Sequence, residues 1–480
     1  MSLSGIVVLA RHGDRSGFYQ SPKTYAASDT NLTVLGYLQE YKNGQDLRAE
    51  YFTNVTDSIA GIHADIAEPM EMDIYADAGG EGTVIVESAN ALLQGLYPPY
   101  NETLALANGS TVAWDRAQLI SIETVEPEEE IWMEGYTECD AWTTSLSAFY
   151  NSSDFVAQAQ GANAFYQSLS PILGNRPLTY QNGYNIFDFM NVNYIHNDTL
   201  SPEIAPYLNE SRYYANWRES RAFGNADPSN IANVAGQALL PLIIDGVQQI
   251  SNTSNPLKFQ YLAISYKPFI SLFNMMAMPS PLNDTMVDYA SMAIFEVRDD
   301  DTVTLRFRNS SEGDLAYYPM FGSSETSTPL DTFVDTLQPN SLDTLAKWCN
   351  KCQTSDARGC DVLAALNGTG GGSVQYASIT STTGRQHVSP VVAGVIGALV
   401  ALAVAGVALA AWLFFGGLVK RTRRGRRSGV AAGKQGPSGR RSQSIAGSIA
   451  GDSNVELHHS SHNAADSDGT RSVGSGNAKI

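Results

Sequence analysis

Ile6-Val7-Val8-Leu9-Ala10-Arg11-His12-Gly13-Asp14-Arg15 is the stretch that decides how the rest of this chain is read. Its first five residues are apolar and include three β-branched ones, which predicts a buried strand. The five that follow then fall in the loop beyond its carboxyl end, where open α/β sheets bind ligands. Their chemistry suits a phosphate. The neutral imidazole of His12 is a nucleophile toward phosphorus, and Arg11 and Arg15 are permanent cations whose forked N–H groups match non-bridging oxygens. Gly13 lets the backbone approach closely.

Outward from this stretch, strand and helix patterns alternate. Residues 259–265 read as a strand and 269–278 as the helix it feeds, whereas 293–297 and 302–308, joined through Asp299-Asp300-Asp301, read as a hairpin. The pattern is mainly helical from about 140 to 250, as in Asp188-Phe189-Met190-Asn191-Val192. The fold class is therefore α/β, with a helical subdomain inserted between core strands.

The composition changes along the 480 residues. Residues 391–419 form 29 consecutive uncharged, mostly apolar residues, longer than the roughly 20 that cross a bilayer. The basic cluster from Lys420 to Arg427 follows at once and predicts a cytoplasmic carboxyl side. Asn-x-Ser/Thr acceptors at Asn31, Asn54, Asn101, Asn108, Asn151, Asn197, Asn209, Asn252, Asn283, Asn309 and Asn367 all precede the span, which agrees with that topology. The expected layout is an ectodomain at 1–365, a Gly/Ser/Thr-rich stalk at 366–390, one transmembrane helix at 391–419 and a basic, disordered tail at 420–480. The protein is thus expected as a single-pass type I glycoprotein of the plasma membrane or secretory pathway. A signal sequence is expected ahead of Met1, because Met1-Ser2-Leu3-Ser4-Gly5 leads straight into the first strand. Ala393, Gly397, Ala401 and Ala405 make a small-residue stripe that suits weak dimerisation through the span.

Residues before Val388 carry a net charge of −26 and the remainder +7, which excludes nucleic acid as a partner of the ectodomain and places the basic cluster against anionic lipid. Cys139, Cys349, Cys352 and Cys360 are compatible with two disulfides whose pairing the sequence leaves open. Cys349-x-x-Cys352 has no second such pair and no nearby histidine, so no metal or cofactor is expected. Gly79-Gly80-Glu81-Gly82 lacks the Lys and Ser/Thr of a phosphate loop, and Glu126-Pro127-Glu128-Glu129-Glu130 reads as solvated charge.

Arg11-His12-Gly13-Asp14-Arg15 after an apolar strand resembles the signature of the histidine acid phosphatases, the second branch of the histidine phosphatase superfamily. Glu87-Ser88-Ala89 followed by Gly95-Leu96-Tyr97-Pro98-Pro99 resembles that family's second block, and 182–197, ending in Ile195-His196-Asn197, its helical subdomain. The resemblance implies a phosphoglycerate mutase-like α/β core and hydrolysis of phosphomonoesters through a phosphohistidine on His12, with Arg11 and Arg15 holding the phosphoryl oxygens. It also implies a further arginine from the second block and a His-Asp pair after a late strand, the Asp protonating the leaving oxygen. Here Val84 stands in the arginine position and Tyr266-Lys267 in the His-Asp position. No Arg or Lys occurs between Arg48 and Arg116, no His between His196 and His387, and no His-Asp dipeptide anywhere.

An electrostatic donor is worth about 3 kcal/mol at a transition state, and a general acid roughly 10² to 10⁴ in rate. Poor turnover is therefore expected. Lys267 is the available substitute cation and Tyr266 the available substitute proton donor, against a packing role for the tyrosine. His63 and His196 read as surface or hydrogen-bonded helix residues. Three readings stay open: a phosphomonoesterase with an incomplete catalytic set, a pseudophosphatase that senses a phosphorylated ligand or presents an interaction surface, and substrate-assisted protonation that restores catalysis for activated leaving groups.

Overall fold

The computed structural model describes residues 2–17, 23–25, 30–54, 56, 58–79, 83–126 and 130–368. The expected span, its small-residue stripe, the basic tail and all of the stalk past Gly368 lie outside the described residues, as do Gly80, Glu81, Gly82, Pro127, Glu128 and Glu129.

The described strands are β1 (Leu3–Arg11), β2 (Met72–Asp77), β3 (Tyr100–Ala105), β4 (Thr111–Arg116), β5 (Glu123–Val125), β6 (Phe259–Ile264), β7 (Met292–Arg298), β8 (Thr302–Arg308), β9 (Ala316–Tyr318) and β10 (Ser327–Pro329). They make a mixed sheet in the order β10-β8-β7-β1-β6-β2-β5, with β9 on β8, while β3 and β4 form a separate hairpin. β1 is central. It runs parallel to β6, with Ala10 opposite Ala263, and antiparallel to β7, with Ala10 opposite Met292.

The apolar run of β1 is continuous because both of its faces are covered. Ile6, Val8 and Ala10 pack with Leu47 of α1 (Val34–Leu47) and with Ile85 and Leu92 of α2 (Val84–Leu96). Val7 and Leu9 face the opposite core. Each of these Ile, Val and Leu side chains taken fully out of water contributes about 1.5–3 kcal/mol.

The middle of the chain is helical: α3 (Asp140–Tyr150), α4 (Ser153–Ser168), α5 (Ser170–Leu173), α6 (Gly183–His196), α7 (Ser201–Ile204) and α8 (Leu208–Ala222). Phe155, Phe165, Tyr166, Leu173, Met190 and Ile204 give this region a core of its own. α6 joins two cores, because Ile186, Phe189 and Met190 face that cluster whereas Tyr184 and Phe187 belong to the main one. α9 (Val234–Ser251) and α10 (Lys267–Met275) lie against the sheet through Leu239, Ile243, Phe269 and Phe273. The helix Ile231–Ser251 is apolar and long enough to cross a membrane by composition, but it is mostly buried inside the fold. α11 (Leu330–Leu337), α12 (Leu345–Cys352) and α13 (Cys360–Gly368) complete the described chain. Disulfides Cys139–Cys352 and Cys349–Cys360 supply the pairing that the sequence leaves open, the first closing 213 residues of chain and the second 11.

None of the ten described glycosylation acceptors from Asn31 to Asn309 is buried.

Candidate functional site

The carboxyl ends of β1, β6 and β2 lie side by side, so the Arg11–Arg15 loop, the turn Ser265-Tyr266-Lys267 and Asp77-Ala78-Gly79 all leave one edge of the sheet. Two glycines seat the loop. A Cβ on Gly13 would stand 2.4 Å from the Gly36 carbonyl oxygen, and one on Gly36 would stand 2.0 Å from that of Asp14. The loop therefore rests on bare backbone of the first turn of α1. Thr33 both caps that helix, accepting from Gly36 N at 3.0 Å, and donates to Asp14 Oδ1 at 2.6 Å. Ser88 of the second block accepts from Gly13 N at 3.1 Å.

His12 is almost fully buried, and its Nδ1 lies 2.8 Å from the Gly13 carbonyl oxygen. A carbonyl oxygen only accepts, so Nδ1 carries the proton and, in the neutral ring, the lone pair is on Nε2. Arg11, the last residue of β1, donates from Nη1 to the Val287 carbonyl oxygen at 2.6 Å. Its guanidinium lies between two tyrosine rings, with Cζ 5.1 Å from the centroid of Tyr266 and 4.5 Å from that of Tyr289. Tyr289 also faces His12, at 5.4 Å between ring centroids, and Arg15, at 5.8 Å. Burial pushes the Tyr289 phenol well above its ordinary range, so it stays neutral.

Arg15 is fully buried, and its two Nη groups reach both oxygens of Asp188 on α6, at 2.9 and 3.3 Å. Farther along the same helix, His196 Nε2 donates to Asp14 Oδ1 at 2.6 Å. Both contacts link residues more than 170 positions apart, and the sequence does not announce them. A signal for the first exists all the same: Asp188 stands between Phe187 and Phe189, and a carboxylate on an apolar helix face needs a buried cation.

The other sequence-picked positions are built differently. Val84 opens α2, is fully buried, and offers no donor. Tyr266 donates its hydroxyl to Glu219 Oε2 at 2.8 Å, and Glu219 in turn pairs with Arg218. Lys267 Nζ donates to the Tyr136 hydroxyl at 2.7 Å, which itself donates to Glu134 at 2.9 Å. His63 is a surface residue bonded through Nδ1 to Glu71 at 2.6 Å. Glu130 binds the backbone N–H groups of Trp132 and Met133, and burial raises its carboxyl to about 7. Beside Arg11, a cavity of about 20 Å³ is bordered by Tyr184, Asp188, Asn191, Arg212 and Tyr289, which is room for roughly one water.

Neither protein-family models nor curated protein sequences give a match to this chain. Among solved structures it is similar to the phytase of Citrobacter braakii, with 12% identity and a TM-score of 0.50 over 73% of this chain and 99% of that one. The Klebsiella sp. ASR1 phytase follows, with 13% identity and a TM-score of 0.47 over 71% and 96%. The multiple inositol polyphosphate phosphatase of Bifidobacterium longum gives 11% identity and 0.40 over 72% and 94%. At such identities the likeness is one of fold: a mixed α/β architecture similar to that of the histidine acid phosphatases.

Proposed function

We propose that this protein is a single-pass type I membrane glycoprotein whose ectodomain binds phosphomonoesters at Arg11, His12 and Arg15 and transfers the phosphoryl group to His12 only from good leaving groups. The observation that carries the reading is the tautomer of His12. With its proton held on Nδ1 by the Gly13 carbonyl, the ring offers Nε2 as the nucleophile. In the transfer step the Nε2–P bond forms as the bond to the leaving oxygen breaks, and the leaving anion takes its proton from water. Water then cleaves the phosphohistidine and regenerates the imidazole. A leaving group that is stable as an anion needs little acid help, whereas an alkoxide needs much. Tyr266 and Lys267 spend their polar atoms on Glu219 and Tyr136, which argues against either serving as the acid.

The test is single-turnover hydrolysis of an aryl phosphate by the full-length chain in detergent, from acid to neutral pH, beside His12→Ala. Stoichiometric phosphate release with covalent label on His12, absent from the variant, is the expected result. Equal release from both proteins would remove His12 from the chemistry. A second reading, a pseudophosphatase that only senses a phosphorylated ligand, is favoured by the Arg15–Asp188 pair, and phosphate affinity without any label would establish it.

A further inference from the structure

The proposed binding site is already filled from within. Arg15 presents its fork to the two oxygens of Asp188, at 2.9 and 3.3 Å, which is the bidentate geometry it would offer to two phosphate oxygens. Asp188 is only 3% exposed and Arg15 is fully buried, so solvent does not dilute the pair. Arg11 and His12 face the ring of Tyr289. Asp188 sets its carboxylate directly against Arg15 and so offsets positive charge that a phosphate dianion would otherwise meet.

Asp188 and His196 both belong to α6, eight residues apart, or about 12 Å of helix. One grips Arg15 and the other Asp14, on successive residues of the loop. The helix that makes both contacts comes from the inserted region and not from the sheet edge that carries the loop. α6 is thus fastened across the loop at two points.

We propose that α6 is a strap and that Asp188 is an internal substitute for the phosphate anion, so that phosphate enters by exchange with Asp188 and loosens the helix from the loop. This rests on the reading that Arg11, His12 and Arg15 form a phosphate site, and it adds how that site is regulated. The apparent affinity is the intrinsic one multiplied by the fraction of molecules in which Arg15 is released, and removing the internal anion brings that fraction toward one.

The experiment is titration of inorganic phosphate into the full-length protein, its Asp188→Asn variant and its His196→Gln variant, by calorimetry. Asp188→Asn is expected to bind phosphate about tenfold tighter or more, and His196→Gln a few-fold tighter. If wild type binds and Asp188→Asn binds equally or more weakly, the strap is wrong while the phosphate site stands. If no protein binds phosphate, the site itself is wrong and the strap falls with it. Asp188→Asn leaves a buried arginine poorly matched and can fail to fold, so a measurement on the wild type accompanies it. In hydrogen exchange, saturating phosphate is expected to speed exchange in peptides covering 183–197. A merely structural ion pair predicts unchanged or slower exchange there, and that result overturns the proposal.

Discussion

The loop after β1 and the turn after β6 leave the sheet as neighbours, with Arg11 paired to Ile264, yet they treat their polar side chains in opposite ways. In the first, buried polar groups crowd around His12 in sequence: Arg11, Asp14 and Arg15 lie within a short loop, and their partners are ion pairs, a threonine hydroxyl and aromatic faces. In the second, Tyr266 turns its hydroxyl to Glu219 and Lys267 its ammonium to Tyr136, so both join the packing between the sheet and the helical region. A position at the ligand-binding edge of an α/β sheet is therefore an opportunity for chemistry and not a guarantee of it. Which side chain takes the opportunity depends on whether a neighbour already satisfies it.

The strongest way to break this contrast acts on the support beneath the first region. Glu40 of α1 is completely buried, and burial raises its carboxyl to about 8 from 4.5. It accepts from Asn43, which donates also to the Ala290 carbonyl, and Ala290 N donates to the His12 carbonyl. Between about pH 4.5 and 8 the folded protein holds a proton on Glu40 that the unfolded chain has lost. Stability therefore falls as pH rises through that window, by up to about 1.4 kcal/mol per unit. Asp73, raised to about 6 by burial, and Glu130, raised to about 7, act in the same direction. Denaturant unfolding across pH is expected to give a weaker slope for Glu40→Gln than for wild type, and identical slopes would show that Glu40 is ionised in the fold.

A second intervention tries to give the later turn the role it lacks. Tyr266→His with Lys267→Asp supplies an imidazole and a carboxylic acid where this chain has neither, and turnover of an alkyl phosphate is expected to rise about a hundredfold. An unchanged rate in a folded double variant would place the obstacle at Val84 or at the Arg15–Asp188 pair instead. The smallest effect comes from Tyr266→Phe, which removes only the hydroxyl. Glu219 keeps Arg218, so a loss of about 1 kcal/mol in stability is expected with aryl phosphate transfer unaltered. A large loss of transfer with normal stability would instead give that hydroxyl a part in the chemistry.

Much of the fold was legible because it rests on local pattern. The apolar run of β1, the strand at 259–264 and the hairpin at 292–308 announce themselves by composition and by their turn residues. The loop was legible because its residue types are adjacent in sequence. What escaped was whatever depends on distant meetings. Asp188, His196 and Tyr289 reach the loop from far along the chain, and no period or spacing encodes that approach. Tyr266 and Lys267 were found by position, but the partners that occupy them, Glu219 and Tyr136, come from other segments. The cysteine pairing escaped for the same reason, since four cysteines allow three connectivities.

The two disulfides also determine how this fold takes a mechanical load. A pull on the chain beyond Gly368 can unwind α13 only as far as Cys360, where Cys349 anchors it covalently, and Cys352 then passes the force to Cys139 at the start of α3. Tension applied from that end therefore follows sulfur–sulfur bonds to Cys139 and leaves the chain from 140 to 348, with its helical region, off the shortest covalent path.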